Sequence, residues 1–423
     1  MESLARCPFC DVTIPQSELQ RHANGHFEEV DCASVDVDVQ FARDLELAEV
    51  LSAELSSVPL REDEVDRQIA LLRASQTTSS FYHVKDNGGI MALLCKCLEV
   101  EARHDYHSTT FLSGYIDHFQ SLPSEDSGWG CGWRNIQMLS SHLLSHRQEA
   151  REVLFGGCGF VPGIPFLQRW LEIAWEKGFD TPGSHHFNQS IYGSQHRIGT
   201  TECAALFRSF GLRARIIDFG PKELESLILS VPGATIGSLN DSPFSNGKRK
   251  AFQVVGPMDR YLISTKDEAT HSGSLLESQK NGKDASKNPR RSDSHRVLLE
   301  WVWNYFSEEM MHQFARQGPV IVTDKTPLYF QHDGHSRTIV GIQLRHQKNS
   351  PPKLDLLILD PGHRTEILER SLKGNDRWGM HIKRGLHTLK KPRYQLCYID
   401  QGTANDQEME QLKTMDSVFI ELE

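Results

Sequence analysis

The stretch Ser127-Gly128-Trp129-Gly130-Cys131-Gly132-Trp133-Arg134-Asn135 constrains the fold of this chain more than any other. It places a cysteine between two glycines and flanks it with two tryptophans. Glycines allow a tight turn and a close approach of another chain. Ile136-Gln137-Met138-Leu139 follows and opens an expected helix over about 131–146. A thiol at a helix N-terminus feels the positive end of the helix dipole, which favours thiolate. Two readings fit this window. One is an activated cysteine nucleophile, the other a buried cysteine in a glycine-rich turn.

Composition narrows the classes. The 423 residues leave room for two or three domains, or for one large domain with appendages. The net charge of -10 offers no general attraction to nucleic acid, so direct nucleic-acid binding is not expected. Nine cysteines are thinly spread and do not form a disulfide framework, which points to a reducing compartment. The first residues form no apolar signal region, and no apolar run approaches the roughly 20 residues that span a bilayer. A cytoplasmic and nuclear protein without membrane contact is expected.

Three domains are expected. Residues 1–28 read as a C2H2-type zinc finger. Cys7 and Cys10 are followed after 11 residues by His22, then by His26. That order of thiolates and imidazoles suits tetrahedral structural zinc. Its short helix carries one base and one acid, too little positive charge for a DNA reader, so a protein partner suits it better. Residues 29–79 are an acidic helical linker. In it Phe41, Leu45, Ala48 and Ser52 share one helical face. A weaker acidic stretch, Glu62 to Leu72, contains Ala70 but has Arg67 where an apolar residue would be needed. Residues 80–423 read as the globular domain, with helices near 90–98, 164–177 and 201–210. Strands are expected near 213–217, 319–323, 336–344 and 354–360. Residues 264–296 are rich in Ser, Lys, Asn, Asp and Gly and read as a flexible insertion.

A cysteine nucleophile needs a base and a group that orients the base. His335 opens one apolar strand, Asp360 ends another, and a turn at 347–352 joins them. In an antiparallel hairpin, positions equidistant from the tip face each other, and His335 and Asp360 are nearly so placed. A lone histidine here would be a surface or structural residue; an opposed aspartate favours catalysis.

Taken together, the Ser127–Asn135 stretch, Gly334-His335-Ser336-Arg337-Thr338 and Leu359-Asp360-Pro361 resemble the ubiquitin-fold-modifier-specific protease family. The resemblance is greatest to its zinc-finger-containing ubiquitin peptidase branch. It covers roughly residues 80–400, together with the finger and the Leu45–Ser52 helix. It implies an α+β, papain-like cysteine protease domain behind a zinc finger and an acidic helical ubiquitin-binding segment. The modifier-specific branch usually has Asp-Pro-His, whereas this chain has Asp360-Pro361-Gly362 with His363 one further on. That departure favours the ubiquitin-specific branch and leaves His363 as a minor alternative base.

By resemblance, Cys131 is the nucleophile, His335 the general base and Asp360 its orienter. Gln331 and the Cys131 amide would form the oxyanion hole. Gln331 also reads as a plain polar residue at a strand entry. Trp129 would wall the slot for a ubiquitin tail, with Trp133 equally suited to the core. Asp180 and Glu202 would meet the arginines of that tail. The helix of Leu45, Ala48 and Ser52 resembles a ubiquitin-interacting motif, and the segment at about 83–112 a helical arm that grips ubiquitin. The implied activity is hydrolysis of isopeptide bonds in polyubiquitin, with long lysine-sixty-three-linked chains preferred. Zinc would serve only the finger, and no metal the chemistry. The alternatives are a protease for another ubiquitin-like modifier and a non-catalytic ubiquitin-binding adaptor.

Overall fold

The computed structural model describes residues 4–6, 13–15, 69–70, 88–104, 108–221, 237–238, 252–255, 295–308, 318–346 and 352–422. Cys7, Cys10, His22, His26, Leu45, Ala48 and Ser52 lie outside them, as does nearly all of 264–296. The chain divides into two units, Met1–Glu62 and Asp63–Glu423. The first contains an antiparallel pair, β1 (Leu4–Arg6) and β2 (Thr13–Pro15), with Arg6 opposite Thr13. In sequence, Cys7 and Cys10 fall in the connection between these strands.

The second unit is a mixed α+β domain on an 11-stranded sheet. Its strands are β3 (Ser108–Ser113), β4 (Leu212–Gly220), β5 (Gly237–Ser238), β6 (Phe252–Val255), β7 (Val320–Thr323), β8 (Leu328–His332), β9 (His335–Arg345), β10 (Lys353–Leu359), β11 (Lys383–Gly385), β12 (Tyr394–Thr403) and β13 (Asp416–Glu421). The main path runs β11-β10-β9-β8-β12-β4-β13-β6-β5. Strand β9 is the hub: Leu328–His332 and Ser108–Leu112 pair with successive parts of it, and β10 pairs with it too.

The helices are α1 (Gly89–His104), α2 (Cys131–His146), α3 (Gln148–Val153), α4 (Ile164–Glu176), α5 (Thr181–His186), α6 (Thr200–Ser209), α7 (Arg296–Ser307), α8 (Thr365–Lys373), α9 (Trp378–Ile382) and α10 (Asp406–Leu412). At β10 the sheet is buried on both faces, which explains the unbroken apolar run Leu356-Leu357-Ile358-Leu359. Leu356 and Ile358 pack with Val297, Leu298 and Val302 of α7. Leu357 and Leu359 pack with Leu94 and Leu98 of α1 and Leu368 of α8. Alternate side chains of a strand point to opposite faces, so each neighbour goes to a different core.

The expected helical arm at 83–112 needs correcting. Helix α1 covers Gly89–His104 and is packed into a core through Ile90, Met91, Leu94 and Leu98. Residues 108–113 are strand β3, parallel to β7 and antiparallel to β9. Their β-branched and aromatic residues, Thr109-Thr110-Phe111, suit a strand better than a helix. The Cys97 thiol is buried and donates to the Leu372 carbonyl at 3.1 Å, so it is a core thiol. The expected insertion at 264–296 ends where α7 begins. Among the described residues, no helix is long and apolar enough to cross a membrane.

Candidate active site

Cys131 is the first residue of α2, a 16-residue helix buried continuously from Gly132 to Leu144. The loop before it is fixed by Asp126. Arg134 donates to both carboxylate oxygens of Asp126 at 3.0 Å, a two-point ion pair across the turn. The Gly130 amide donates to the Asp126 carbonyl at 2.8 Å. A Cβ on Gly130 would stand 2.1 Å from Asp126 Oδ2, and one on Gly132 would stand 2.6 Å from Ile198 Cγ1 and 2.9 Å from Tyr329 Oη. These two glycines are therefore required by the packing of the chain itself. Inside the first turn, Asn135 Nδ2 donates to the Cys131 carbonyl at 2.6 Å, while its Oδ1 accepts from Thr338 Oγ1 at 2.6 Å. That bridge ties the cysteine's end of α2 to β9.

The other half of the site comes from the tight β8–β9 hairpin, where His332 faces His335 and Gln331 faces Ser336. Asp333 and Gly334 make the turn with φ of 48° and 74°. His335 Nε2 lies 3.3 Å from Asp360 Oδ1 and 3.5 Å from Oδ2. This leaves Nδ1 free of the carboxylate, and Cys131 is the second group that raises the imidazole's pKa. The Cys131 thiol is pushed up by burial, but hydrogen bonds from His335 and Ser336 and the charge of His335 bring it below its ordinary value. His335 is raised to about 9, first by its bond to Asp360 and then by its bond to Cys131. Burial pushes the Asp360 carboxyl up, but bonds from His335, Arg337 and the Gly362 amide hold it well below the usual carboxylate range. The charges of the thiolate and the imidazolium therefore favour each other, with a carboxylate behind the imidazole.

The hairpin expectation is met with one adjustment. Leu359 pairs with Thr338, so continuing the register sets Asp360 opposite Arg337, and His335 reaches it diagonally. Arg337 Nε donates to Asp360 Oδ2 at 2.5 Å, and its Nη1 to His332 Nε2 at 2.5 Å. His118 supports the aspartate from behind: its Nε2 donates to the Asp360 carbonyl at 3.0 Å, and its Nδ1 accepts from Thr365 Oγ1 at 2.9 Å. His363 faces His381 edge-on at 5.2 Å, and burial lowers its pKa. The thiol's imidazole partner is His335.

Gln331 sits at the edge of this constellation. Its Oε1 accepts from Ser336 Oγ at 3.4 Å. Trp129 is half-buried beside the loop, whereas Trp133 is fully buried and belongs to the core. The two acids that the resemblance assigns to a substrate are both buried. Asp180 has no exposed surface; it caps α5 in the left-handed conformation and accepts from the Gly183 amide at 3.2 Å. Glu202 is 6% exposed and accepts from the Gly199 amide at 2.7 Å, closing the start of α6. Both carboxylates are turned inward to orphaned helix N–H groups, the usual need of a helix start.

Sequence reasoning missed Arg337, Ser336, Tyr329 and Asn135. Two of these stood inside the quoted Gly334–Thr338 stretch. Strand alternation would have set Arg337 on the side of His335, because side chains two apart share a face. Asn135 stood at the end of the quoted Ser127–Asn135 stretch, but its bond to Thr338 and that of Tyr329 to Ile198 join residues more than 100 apart and leave no local signal.

The sequence profile of Peptidase family C78 matches residues 105–230 and 274–397, more than half of the chain. The chain therefore belongs to Peptidase family C78, a family of cysteine peptidases. The match leaves out 231–273, which overlaps only the start of the expected insertion. Three relatives illustrate its similarities. The chain is 26% identical to the zinc finger-containing ubiquitin peptidase 1 of Bos taurus, covering 98% of this chain and 65% of that protein. It is 29% identical to the protein of the same name from Rattus norvegicus, over 76% of this chain and 43% of the other. It is 34% identical to the ubiquitin carboxyl-terminal hydrolase mug105 of Schizosaccharomyces pombe, over 30% of this chain and 52% of the other. The chain thus spans less than two thirds of the length of each.

Proposed function

We propose that this chain is a deubiquitinase that hydrolyses isopeptide bonds in polyubiquitin through a Cys131–His335–Asp360 triad. The observation that carries this reading is the meeting of α2 and β9: a cysteine at a helix N-terminus, its thiol pKa lowered by an imidazole whose Nε2 stands 3.3 Å from the Asp360 carboxylate. The names of the bovine, rat and fission yeast relatives support ubiquitin as the substrate. The Cys131 thiolate attacks the carbonyl of the ubiquitin C-terminal glycine. His335 donates a proton to the departing lysine amine, and water then releases ubiquitin from the thioester with His335 as base. The first-turn amide of Cys131 and the carboxamide of Gln331 stabilise the tetrahedral oxyanion. Trp129 lines the approach of the ubiquitin tail. Asp180 and Glu202 act through the helix starts they cap.

In this reading zinc bound by Cys7, Cys10, His22 and His26 orders the finger and takes no part in the chemistry; two thiolates and two imidazoles are a fitting donor set. The finger and the Leu45–Ala48–Ser52 face bind further ubiquitins of a chain, which suits long lysine-sixty-three-linked polymers in cytoplasm and nucleus. The test is cleavage of lysine-sixty-three-linked tetraubiquitin by wild type and Cys131→Ala. Cleavage by wild type and none by the variant supports the reading; equal cleavage by both rejects the assignment of the nucleophile.

A further inference from the structure

We propose that the buried hydroxyl pair Tyr329–Ser336 is a positioning element that holds the Cys131 sulfur and the Gln331 carboxamide in one hydrogen-bond network. The proposal rests on the reading of Cys131 as nucleophile. Tyr329 and Ser336 have 0% and 1% of their surface exposed. Burying two hydroxyls at this point costs free energy unless they are bonded, and a purely structural core would place apolar groups there. Tyr329 Oη lies 2.9 Å from Ser336 Oγ and 3.3 Å from the Ile198 carbonyl. A carbonyl only accepts, so Tyr329 is the donor in its contact with Ile198, the residue that packs on Gly132, while in the shorter Tyr329–Ser336 contact either hydroxyl can donate. The Ser336 hydroxyl has two acceptors in reach, Tyr329 Oη and Gln331 Oε1 at 3.4 Å, and Ser336 is also among the groups that lower the Cys131 thiol, which makes the sulfur the third.

The balance among these acceptors depends on charge. A thiolate draws the Ser336 proton most strongly, because a hydrogen bond to a charged acceptor is the stronger one. Once the sulfur carries an acyl group its charge is gone, and the same proton turns to Gln331 Oε1. That bond fixes the carboxamide with its oxygen toward Ser336 and its Nε2 toward the cleft, where the oxyanion forms. Ser336 and Tyr329 therefore touch no substrate; they act through Cys131 and Gln331.

The test uses the full chain and reads Cys131 without any ubiquitin. The rate of Cys131 alkylation by iodoacetamide is followed against pH by peptide mass spectrometry in wild type, Ser336→Ala, Ser336→Thr and Tyr329→Phe, with thermal unfolding as the folding control. Ser336→Ala should move the midpoint up by about one pH unit, the size of one charge-assisted hydrogen bond. Ser336→Thr should return it toward wild type, and Tyr329→Phe should shift it upward by less. On a ubiquitin reporter, Ser336→Ala should lower kcat about tenfold with KM little changed. A folded Ser336→Ala with an unmoved midpoint overturns the proposal; where that variant does not fold, an unmoved midpoint in folded Tyr329→Phe does so. A wild type that cleaves no ubiquitin reporter would sink the substrate assignment alone, since alkylation still decides the network.

Discussion

Arg337 and His335 compete for one carboxylate: Arg337 Nε stands 2.5 Å from Asp360 Oδ2, whereas His335 Nε2 approaches the Asp360 oxygens no closer than 3.3 Å. The arginine sits squarely opposite the aspartate by strand register, and the histidine reaches it from two residues nearer the turn. The carboxylate is therefore aimed by the arginine and used by the histidine. The two partners pull His335 in opposite directions, Asp360 raising its pKa and Arg337 lowering it.

Substituting Arg337 separates aim from charge. Arg337→Gln should lower kcat about tenfold, because a freed carboxylate no longer fixes the imidazole. At the same time the alkaline limb of the pH–rate profile should move up, since a positive charge beside His335 has been removed. A pH–rate profile of the variant checks both; an alkaline limb that moves down would contradict this account of Arg337.

Wild-type activity should be bell-shaped in pH. Below the lowered pKa of Cys131 the thiolate is protonated and attack stops. Above about 9 the imidazolium loses the proton it must give to the leaving amine, and the rate falls again. Asp360→Asn removes the first cause of the raised value, so its alkaline limb should move down toward the ordinary histidine range near 6.5. Profiles of kcat/KM for the two proteins measure this shift; coincident alkaline limbs would reject Asp360 as the partner that raises His335.

The inward turn of Glu202 leads to a different expectation from that of a charged substrate contact. Its Oε2 accepts from the Gly199 amide at 2.7 Å, a bond that a glutamine oxygen can also accept. Glu202→Gln should therefore keep stability within about 1 kcal/mol, while Glu202→Ala should lose about 1–3 kcal/mol by leaving a buried amide unpaired. KM for ubiquitin should change less than twofold in Glu202→Gln. A large rise in KM with stability kept would restore the direct contact with arginine.

Removing residues 1–76 should slow cleavage of long lysine-sixty-three-linked chains by at least about tenfold and leave a single-ubiquitin reporter almost unchanged, because linked weak sites act through effective concentration. Side-by-side kinetics on the two substrates give the answer. Equal loss on both would show that these residues support the peptidase itself.

Much of this architecture was legible because local signals and tertiary demands agree. The Gly-Cys-Gly stretch at a helix start places Cys131 at the first residue of α2. The apolar strands ending near His335 and Asp360 form the antiparallel pair their spacing implied. What sequence could not supply is register and burial. A bulge between Leu357 and Ile358 shifts the pairing and hands the place opposite Asp360 to Arg337. Asp180 and Glu202 are assigned to a substrate's arginines by resemblance, and nothing local in the sequence signals that each meets a helix N-terminus inside the protein. Residues 108–112 read with the preceding helix, but Thr109-Thr110-Phe111 belong to a strand whose partners lie more than 200 residues on. Long-range pairing of this kind leaves no local mark.

The most direct test of the central claim is labelling by electrophilic C-terminal probes of ubiquitin and of the ubiquitin-fold modifier, on wild type and Cys131→Ala. Covalent labelling by the ubiquitin probe alone, absent in the variant, is the expected result and joins nucleophile to substrate. Labelling by the other modifier alone would move the chain to a different specificity, and undiminished labelling of Cys131→Ala would contradict the triad.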